Sequence, residues 1–190
     1  MSAVMRIIAG QLKGHGIDAP PGHATRPSTA RTRESLFNLI DSRIYLEGAT
    51  VLDLFAGTGA LGLEALSRGA ALVTFVEQDP QVLDYARANA EALGVSDRCI
   101  FIPGDAVQYL ERYQGPALDL IMADPPYELP ALERLPDLAL EHLDTDGVLT
   151  LEHSTDQWFD DHPREMTTRR YGRTVVTLFR PPLAPVSDDA

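Results

Sequence analysis

Short apolar runs alternate with segments of helical periodicity through the middle of the chain. The pattern predicts strands at 50–55, 72–77, 98–103, 119–124 and 147–152, and helices at 59–68, 80–94, 105–113 and 132–143. Two later segments, 165–171 and 174–179, predict an antiparallel pair of strands joined around Gly172. Repeated strand–helix units with apolar strands indicate an α/β fold. We expect helices on both faces of a mainly parallel, seven-stranded sheet whose final strand is antiparallel.

The first part of the chain has a different pattern. Apolar stretches at 6–9 and 16–18 lie between glycines and predict a small hairpin. Ser28 is suited to cap a helix that extends to about residue 43. An apolar stripe about 100° wide indicates the core-facing side of this helix; it is formed by Leu36, Phe37, Ile40 and Ile44. Arg33 projects to that side, whereas Arg31 points nearly opposite, toward solvent or a partner.

The composition is that of an ordinary globular protein. Of the 190 residues, 44% are hydrophobic and 23% are charged, which excludes disorder as the main state and predicts a single core. No run approaches 18 apolar residues and residues 1–9 lack a long apolar segment, so we expect no membrane span and no signal peptide. The single cysteine, Cys99, excludes an internal disulfide, and the histidines lack ligand spacing. We therefore expect a cytoplasmic monomer without a metal.

The net charge of −12 is unevenly distributed along the chain. Residues 1–33 carry five basic side chains against one acid, Asp18, which gives a local net charge of +4. This asymmetry indicates an N-terminal docking surface for an anionic partner, although a solvated arm with chance clustering is the alternative. We predict a basic hairpin and loop at 1–28, a main domain at 29–180 and a disordered acidic tail at 181–190.

A glycine-rich turn follows the first strand of the predicted sheet. Gly57, Gly59 and Gly62 have the Gly-x-Gly-x-x-Gly spacing of dinucleotide binders. This spacing alone is a weak signal, but here it follows a strand, opens a helix and precedes an acid at the end of the next strand. That acid, Glu77, is suited to accept hydrogen bonds from two ribose hydroxyls.

Two further carboxylates discriminate between ligands. Asp53 lies four residues before Gly57, where it would oppose a pyrophosphate but attract an ammonium group. Asp105, after the third strand, is placed to accept from an adenine amino group. Together with Glu77 they favour S-adenosylmethionine, which has no phosphate and carries an ammonium and a sulfonium, over NAD. The structural alternative is that Asp53 caps a turn, Glu77 ends a strand and Asp105 caps a helix.

The segment Asp124-Pro125-Pro126-Tyr127 follows the fourth strand. An exocyclic amino nitrogen of a nucleobase is a poor nucleophile because its lone pair is delocalised into the ring. Hydrogen bonds from that amino group to the Asp124 carboxylate and the Pro125 carbonyl would localise the lone pair. The two prolines fix the backbone and remove competing N–H donors, and Tyr127 offers a ring on which a base can stack.

With these motifs the sequence resembles the Rossmann-like class I S-adenosylmethionine-dependent methyltransferases, and more closely the RsmD family of 16S rRNA guanine-N2 methyltransferases. The resemblance extends over residues 6–179. Its specific parts are RIIAG at 6–10, RPSTARTRESLFN at 26–38, LFAGTGALGLEALSRGA at 54–70 and DPPY at 124–127. Ala30 departs from the family, which usually has an acid there.

The resemblance implies S-adenosylmethionine as methyl donor and, as partner, a guanine of 16S rRNA in the assembled small subunit. The expected cofactor-binding residues are Asp53, Phe55, Ala56, Gly57, Thr58, Gly59, Glu77, Asp105 and Ala106. The expected catalytic residues, at the flipped base, are Asp124, Pro125, Pro126 and Tyr127. The expected RNA-binding residues are Arg6, Lys13, Arg26, Arg31 and Arg33.

Other functions remain open at this point. Another amino-group methyltransferase could act on adenine N6 in DNA or RNA, or on a protein glutamine. Sequence-specific DNA enzymes generally need an added recognition region, and glutamine enzymes of this type usually have Asn at position 124. An NAD-dependent oxidoreductase would leave the Asp-Pro-Pro-Tyr segment unexplained. A non-catalytic RNA-binding module is the last alternative.

Overall fold

The computed structural model describes residues 5–20, 30–126 and 128–182. The predicted N-terminal hairpin consists of β1 (Met5–Arg6) and β2 (Gly16–Ile17), which pair antiparallel. The strands of the main sheet are β3 (Thr50–Asp53), β4 (Leu72–Glu77), β5 (Cys99–Pro103), β6 (Leu118–Ala123), β7 (Leu143–Ser154), β8 (Glu165–Tyr171) and β9 (Thr174–Phe179). The helices are α1 (Ala30–Asp41), α2 (Ala60–Ser67), α3 (Pro80–Ala92), α4 (Ala106–Glu111) and α5 (Leu135–Leu140).

The seven strands of the main sheet follow the order β5-β4-β3-β6-β7-β9-β8. Strands β3 to β7 are parallel, and β9, the last strand in the chain, runs antiparallel to both of its neighbours. The predicted fold class is therefore confirmed. The chain order reverses at β3, between β4 and β6, and ligands of such sheets bind beyond the carboxyl ends of the strands at this point.

The core has two layers, one on each face of the sheet. Helices α1, α2 and α3 pack on one face through a cluster that includes Phe37, Leu66 and Phe75, whereas α4 and α5 cover the other through Leu110 and Leu135. Gly62 allows α2 to lie close to the sheet, because a Cβ atom there would be 2.2 Å from the Phe75 ring. The third glycine of the turn thus has a packing role that is independent of ligand binding.

Several boundaries differ from the sequence prediction for physical reasons. The fifth strand was expected at 147–152 but β7 begins at Leu143, because its polar start still pairs with β6 across a register shift. The helix expected at 132–143 is divided into a 3-10 turn, Leu132–Arg134, and the short α5, which has a proline in its first turn. The predicted cap Ser28 and most of the predicted tail lie outside the described residues.

The hairpin is attached to the main core. Ile7 and Ile17 are buried in the same cluster as α1 and α2. The Glu64 carboxylate, on α2 and fully buried, accepts hydrogen bonds from the backbone N–H groups of Ile8 (2.7 Å) and Ala9 (3.0 Å). The Ser67 hydroxyl accepts from the Leu12 N–H at 2.9 Å. The basic N-terminal segment thus rests on α2, the helix that the glycine-rich turn opens.

Neither a membrane-spanning helix nor a group of three side chains suited to hold a metal ion is found among the described residues.

Candidate active site

The glycine-rich turn reverses the chain between β3 and α2. Gly57 and Gly59 both have positive φ angles, 53° and 85°, which are accessible to glycine at little steric cost. The Ala56 N–H donates to the Val76 carbonyl at 3.0 Å, which ties the turn to β4. A Cβ atom on Gly57 would meet no heavy atom within 4 Å, so the space beside this turn is open to a ligand.

Glu77 ends β4 beside this turn. Its carboxylate accepts a hydrogen bond from the Gly57 N–H at 2.9 Å and another from the Asp79 N–H at 2.9 Å. Asp79 in turn caps α3, with the Gln81 N–H donating to its carboxylate at 2.8 Å. Glu77 is therefore held in a defined position at the strand end, half-buried, next to the first glycine of the turn.

Asp53, at the end of β3, is 1% exposed. Its carboxylate accepts a hydrogen bond from the Gly62 N–H at 2.9 Å, so it stabilises the first turn of α2, as the structural alternative anticipated. Burial raises the pKa of Asp53 to about 7; the hydrogen bond from Gly62 acts in the opposite direction, and the charges of Asp124 and Glu77 raise it further. The charges of these three carboxylates therefore affect one another, and a cationic ligand bound beside them would stabilise their ionised forms.

Asp105 follows β5 and caps α4. Its side chain accepts from the Gln108 N–H at 2.8 Å, which is the role that the structural alternative predicted. Ala106, the first residue of α4, is buried. An open groove of about 560 Å³ extends from Gly104 and Asp105 along α4 to Tyr113. The capping bond does not occupy the whole carboxylate, because each carboxylate oxygen has two acceptor positions.

The Asp124-Pro125-Pro126 segment follows β6, the strand on the other side of β3. Asp53 pairs in register with Met122, so Asp124 lies two residues beyond the level of Asp53 at the same edge of the sheet. Asp124 is half-buried, Pro125 is buried and Pro126 is exposed. The structure thus brings the predicted catalytic segment next to the glycine-rich turn. Tyr127 lies outside the described residues.

The remaining predicted cofactor residues lie in the turn itself. Ala56 and Thr58 are buried, and Phe55 is partly buried against the core on the α4 side of the sheet. Their backbone therefore shapes the edge of the open space beside Gly57.

The predicted RNA-binding residues divide into two groups. Arg6, Lys13 and Arg31 are exposed, and Arg26 lies outside the described residues. Arg33 is 2% exposed and donates a hydrogen bond to the Arg6 carbonyl, beneath the hairpin. The expectation of an RNA contact at Arg33 needs correction, because its guanidinium is enclosed between the hairpin and α2 rather than presented at the surface. The expected inward direction of Arg33 and outward direction of Arg31 are confirmed.

Asn89, on α3, is 4% exposed and was not among the functional residues predicted from the sequence. Its amide nitrogen donates to the carbonyl oxygens of Asp18 and Thr58, each at 3.0 Å, and its oxygen accepts from the Asp18 N–H at 2.9 Å. The available signal was a polar residue on the apolar stripe that contains Leu83 and Ala86. A buried amide at such a position requires hydrogen-bonding partners.

The strand order, the glycine-rich turn and the acids at the ends of β3, β4 and β5 define a class I S-adenosylmethionine-dependent methyltransferase fold. The Escherichia coli protein yhhF, provisionally named a methyltransferase, superimposes with a TM-score of 0.82 at 29% identity, covering 95% of this chain and 99% of its own. An RNA methyltransferase from Salinibacter ruber, solved in complex with S-adenosyl-L-homocysteine, superimposes with a TM-score of 0.61 at 20% identity, covering 84% and 97%. The second likeness shows the fold alone.

Within this class, the chain belongs to the family described as Conserved hypothetical protein 95, whose model matches residues 5–180. YlbH of Bacillus subtilis, provisionally named an rRNA methyltransferase, is 33% identical over 188 residues, covering 93% of this chain and 98% of YlbH. The Ribosomal RNA small subunit methyltransferase D of Escherichia coli is 38% identical over 132 residues, covering 70% of this chain and 65% of the relative. The resemblance to the RsmD family is thereby confirmed.

Proposed function

We propose that this protein is an rRNA methyltransferase that transfers a methyl group from S-adenosylmethionine to the exocyclic N2 of a guanine in 16S rRNA. The substrate is the assembled small subunit in the cytoplasm. The observation that carries the proposal is the position of Asp124, two residues beyond the level of Asp53 at the same edge of the sheet, in a chain of the RsmD family. Transfer of labelled methyl groups to unmodified small subunits, followed by nucleoside analysis, tests it.

The residues at the strand ends fit S-adenosylmethionine. Asp53 and Glu77 offer negative charge beside the open space at Gly57, which suits the ammonium group and the ribose hydroxyls. Asp105 and Ala106 begin α4 where an adenine amino group and ring nitrogen would be bound. When bound, the cofactor supplies an electrophilic methyl group on a sulfonium. No phosphate has to be accommodated among these carboxylates, in contrast to NAD.

The Asp124 segment activates and aligns the target nitrogen. The Asp124 carboxylate and the Pro125 carbonyl accept hydrogen bonds from the guanine amino group and localise its lone pair toward the methyl group. The reaction forms the N–C bond, breaks the S–C bond and releases one proton from N2 to Asp124 or to water. Correct alignment of the reactants is itself a large contribution and can reach about 7–11 kcal/mol.

Cofactor affinity should increase as the pH rises from 6 to 8. The raised pKa of Asp53, about 7, means that its carboxyl is half-protonated near neutral pH. A cationic ligand binds the ionised form, so binding releases a proton and is favoured at higher pH. Calorimetric titration in two buffers of different ionisation enthalpy measures that proton release. Asp53→Asn should abolish it, and a wild-type affinity that does not change with pH would contradict the assigned role.

The same group affects folding stability in the ligand-free protein. Because its pKa in the folded state is above the usual value, the folded state binds more protons than the unfolded state between about pH 4 and 7. The contribution of Asp53 to the free energy of unfolding is thus fully present below about pH 4 and is lost as the pH rises through 7. Bound cofactor should reduce this loss.

Replacing both Lys13 and Arg31 with alanine should weaken RNA binding and make it less dependent on salt. Both side chains are exposed on the basic N-terminal part of the chain. Loss of two phosphate contacts should make the slope of log K against log salt less negative by about 1.5. Filter binding across a salt series measures the slope. The double variant Arg134→Ala with Arg173→Ala removes two exposed arginines outside this segment and is the control of matched charge. Equal slopes for the double variant and wild type would contradict this docking surface.

A further inference from the structure

We infer that Asn89 is a positioning residue that joins the N-terminal hairpin to the glycine-rich turn of the cofactor site. The inference rests on the proposed function in two respects: this turn binds S-adenosylmethionine, and the hairpin contacts RNA. Three hydrogen bonds at one buried side chain carry it, two to Asp18 and one to Thr58.

The two bonds between Asn89 and Asp18 are reciprocal. The Asn89 oxygen accepts from the Asp18 N–H, and its amide nitrogen donates to the Asp18 carbonyl. The amide thus satisfies both backbone groups of Asp18, as a neighbouring strand would. Asp18 directly follows β2, so this pair fixes the point at which the chain leaves the hairpin.

The third bond reaches the glycine-rich turn. The second hydrogen of the Asn89 amide is donated to the Thr58 carbonyl, at 3.0 Å. Thr58 is 2% exposed and lies between Gly57 and Gly59, the two residues of positive φ. A peptide between two glycines has little intrinsic conformational preference, so a bond from a rigid helix selects one orientation of the turn.

One side chain on α3 therefore links two segments that are remote in sequence. Asp18 lies 71 residues from Asn89, and Thr58 lies 31 residues away. The hairpin carries the exposed Arg6 and Lys13, whereas the turn borders the cofactor space. A turn that is ordered by bound cofactor holds Asn89 in place, and Asn89 in turn holds the hairpin. Cofactor binding and RNA binding are therefore coupled through this amide.

Ser67 provides a matched control. Its hydroxyl bonds to the backbone of Leu12 and Ala9, so Ser67→Ala also loosens the hairpin. Ser67 lies at the opposite end of α2 from the glycine-rich turn, about 10 Å along the helix. The control thus removes hairpin anchors without touching the Thr58 carbonyl.

The test compares Asn89→Ala and Asn89→Asp with Ser67→Ala and wild type. Both Asn89 variants should raise the cofactor Kd and KM about tenfold, as expected for one lost functional hydrogen bond, with kcat little changed at saturating cofactor. In Asn89→Asp a carboxylate replaces the donor and faces two carbonyl oxygens, so this variant should not restore affinity. Ser67→Ala should keep the wild-type cofactor Kd. Calorimetry gives the Kd, and thermal unfolding verifies that each variant is folded.

RNA affinity, measured with and without a cofactor product, gives the coupling between the cofactor site and the hairpin. Saturating S-adenosyl-L-homocysteine should tighten RNA binding by wild type and by Ser67→Ala, but not by Asn89→Ala. A cofactor Kd within twofold of wild type in folded Asn89→Ala, or an equal increase in Ser67→Ala, would overturn the inference. Absence of cofactor binding or of RNA binding by wild type would instead overturn the proposed function, so the two failures are distinguishable.

Discussion

Replacing Asp124 with alanine should reduce methyl transfer by about a thousandfold or more, because the target amino group loses the acceptor that localises its lone pair. The half-buried Asp124 follows β6 at the same edge of the sheet as Asp53, which is the edge where we propose that a base meets the cofactor. Its charge also raises the pKa of Asp53. Cofactor affinity should nevertheless remain within a few-fold of wild type, because Asp53 and Glu77 stay in place.

Single-turnover methyl transfer at saturating cofactor measures the loss of activity, and calorimetry measures cofactor affinity separately. Asp124→Asn is the matched variant, since its amide oxygen still accepts a hydrogen bond. It should keep measurable activity and shift the pH dependence of cofactor binding toward lower pH, because one of the charges that raise the pKa of Asp53 is gone. Turnover by Asp124→Ala comparable to wild type would exclude the assigned role.

Replacing Glu64 with alanine should lower the free energy of unfolding by about 3–5 kcal/mol. The fully buried Glu64 carboxylate accepts hydrogen bonds from the N–H groups of Ile8 and Ala9 and from the Arg68 guanidinium at 2.9 Å. It also counteracts the burial that lowers the pKa of Arg33. Without it, two backbone N–H donors lose their partner, Arg68 loses one of its hydrogen bonds and the buried Arg33 loses a neighbouring negative charge. This loss corresponds to a decrease in Tm of roughly 10 °C.

Urea and thermal unfolding measure this loss. Glu91→Ala removes an exposed glutamate from α3 and should change stability by less than about 0.5 kcal/mol. The stability of Glu64→Gln should lie between those of Glu64→Ala and Glu91→Ala, since one side-chain oxygen still accepts hydrogen bonds. A Glu64→Ala protein as stable as the Glu91 variant would show that the hairpin is not anchored through this carboxylate.

The sequence predicted those elements whose pattern is local. The boundaries of β4, β8 and β9 agree with the strands that the sequence predicts at 72–77, 165–171 and 174–179. The start of β7 was missed because the residues that follow Leu143 are polar and their pairing depends on the neighbouring strand. Hydrophobic periodicity reports burial, and it does not report a strand end that extends past the core.

The candidate site was predictable as far as it depends on strand ends. Asp53 and Glu77 end their strands, and Asp105 and Asp124 follow theirs, so a parallel sheet brings all four to one edge. The roles of Glu64 and Asn89 were not predictable, because their backbone partners lie 31 to 71 residues away in the sequence. Helical periodicity gave the inward direction of Arg33, but not its enclosure by the hairpin.

Transfer of tritiated methyl groups from S-adenosylmethionine to small ribosomal subunits lacking their native modifications is the most direct test of an rRNA guanine-N2 methyltransferase. Naked 16S rRNA and duplex DNA serve as the comparison substrates, and Asp124→Ala as the inactive control. After digestion to nucleosides, we expect label in N2-methylguanosine from the subunits. Label in methyladenine, or in protein alone, would contradict the proposed target, and absence of label from every substrate would contradict the proposed activity.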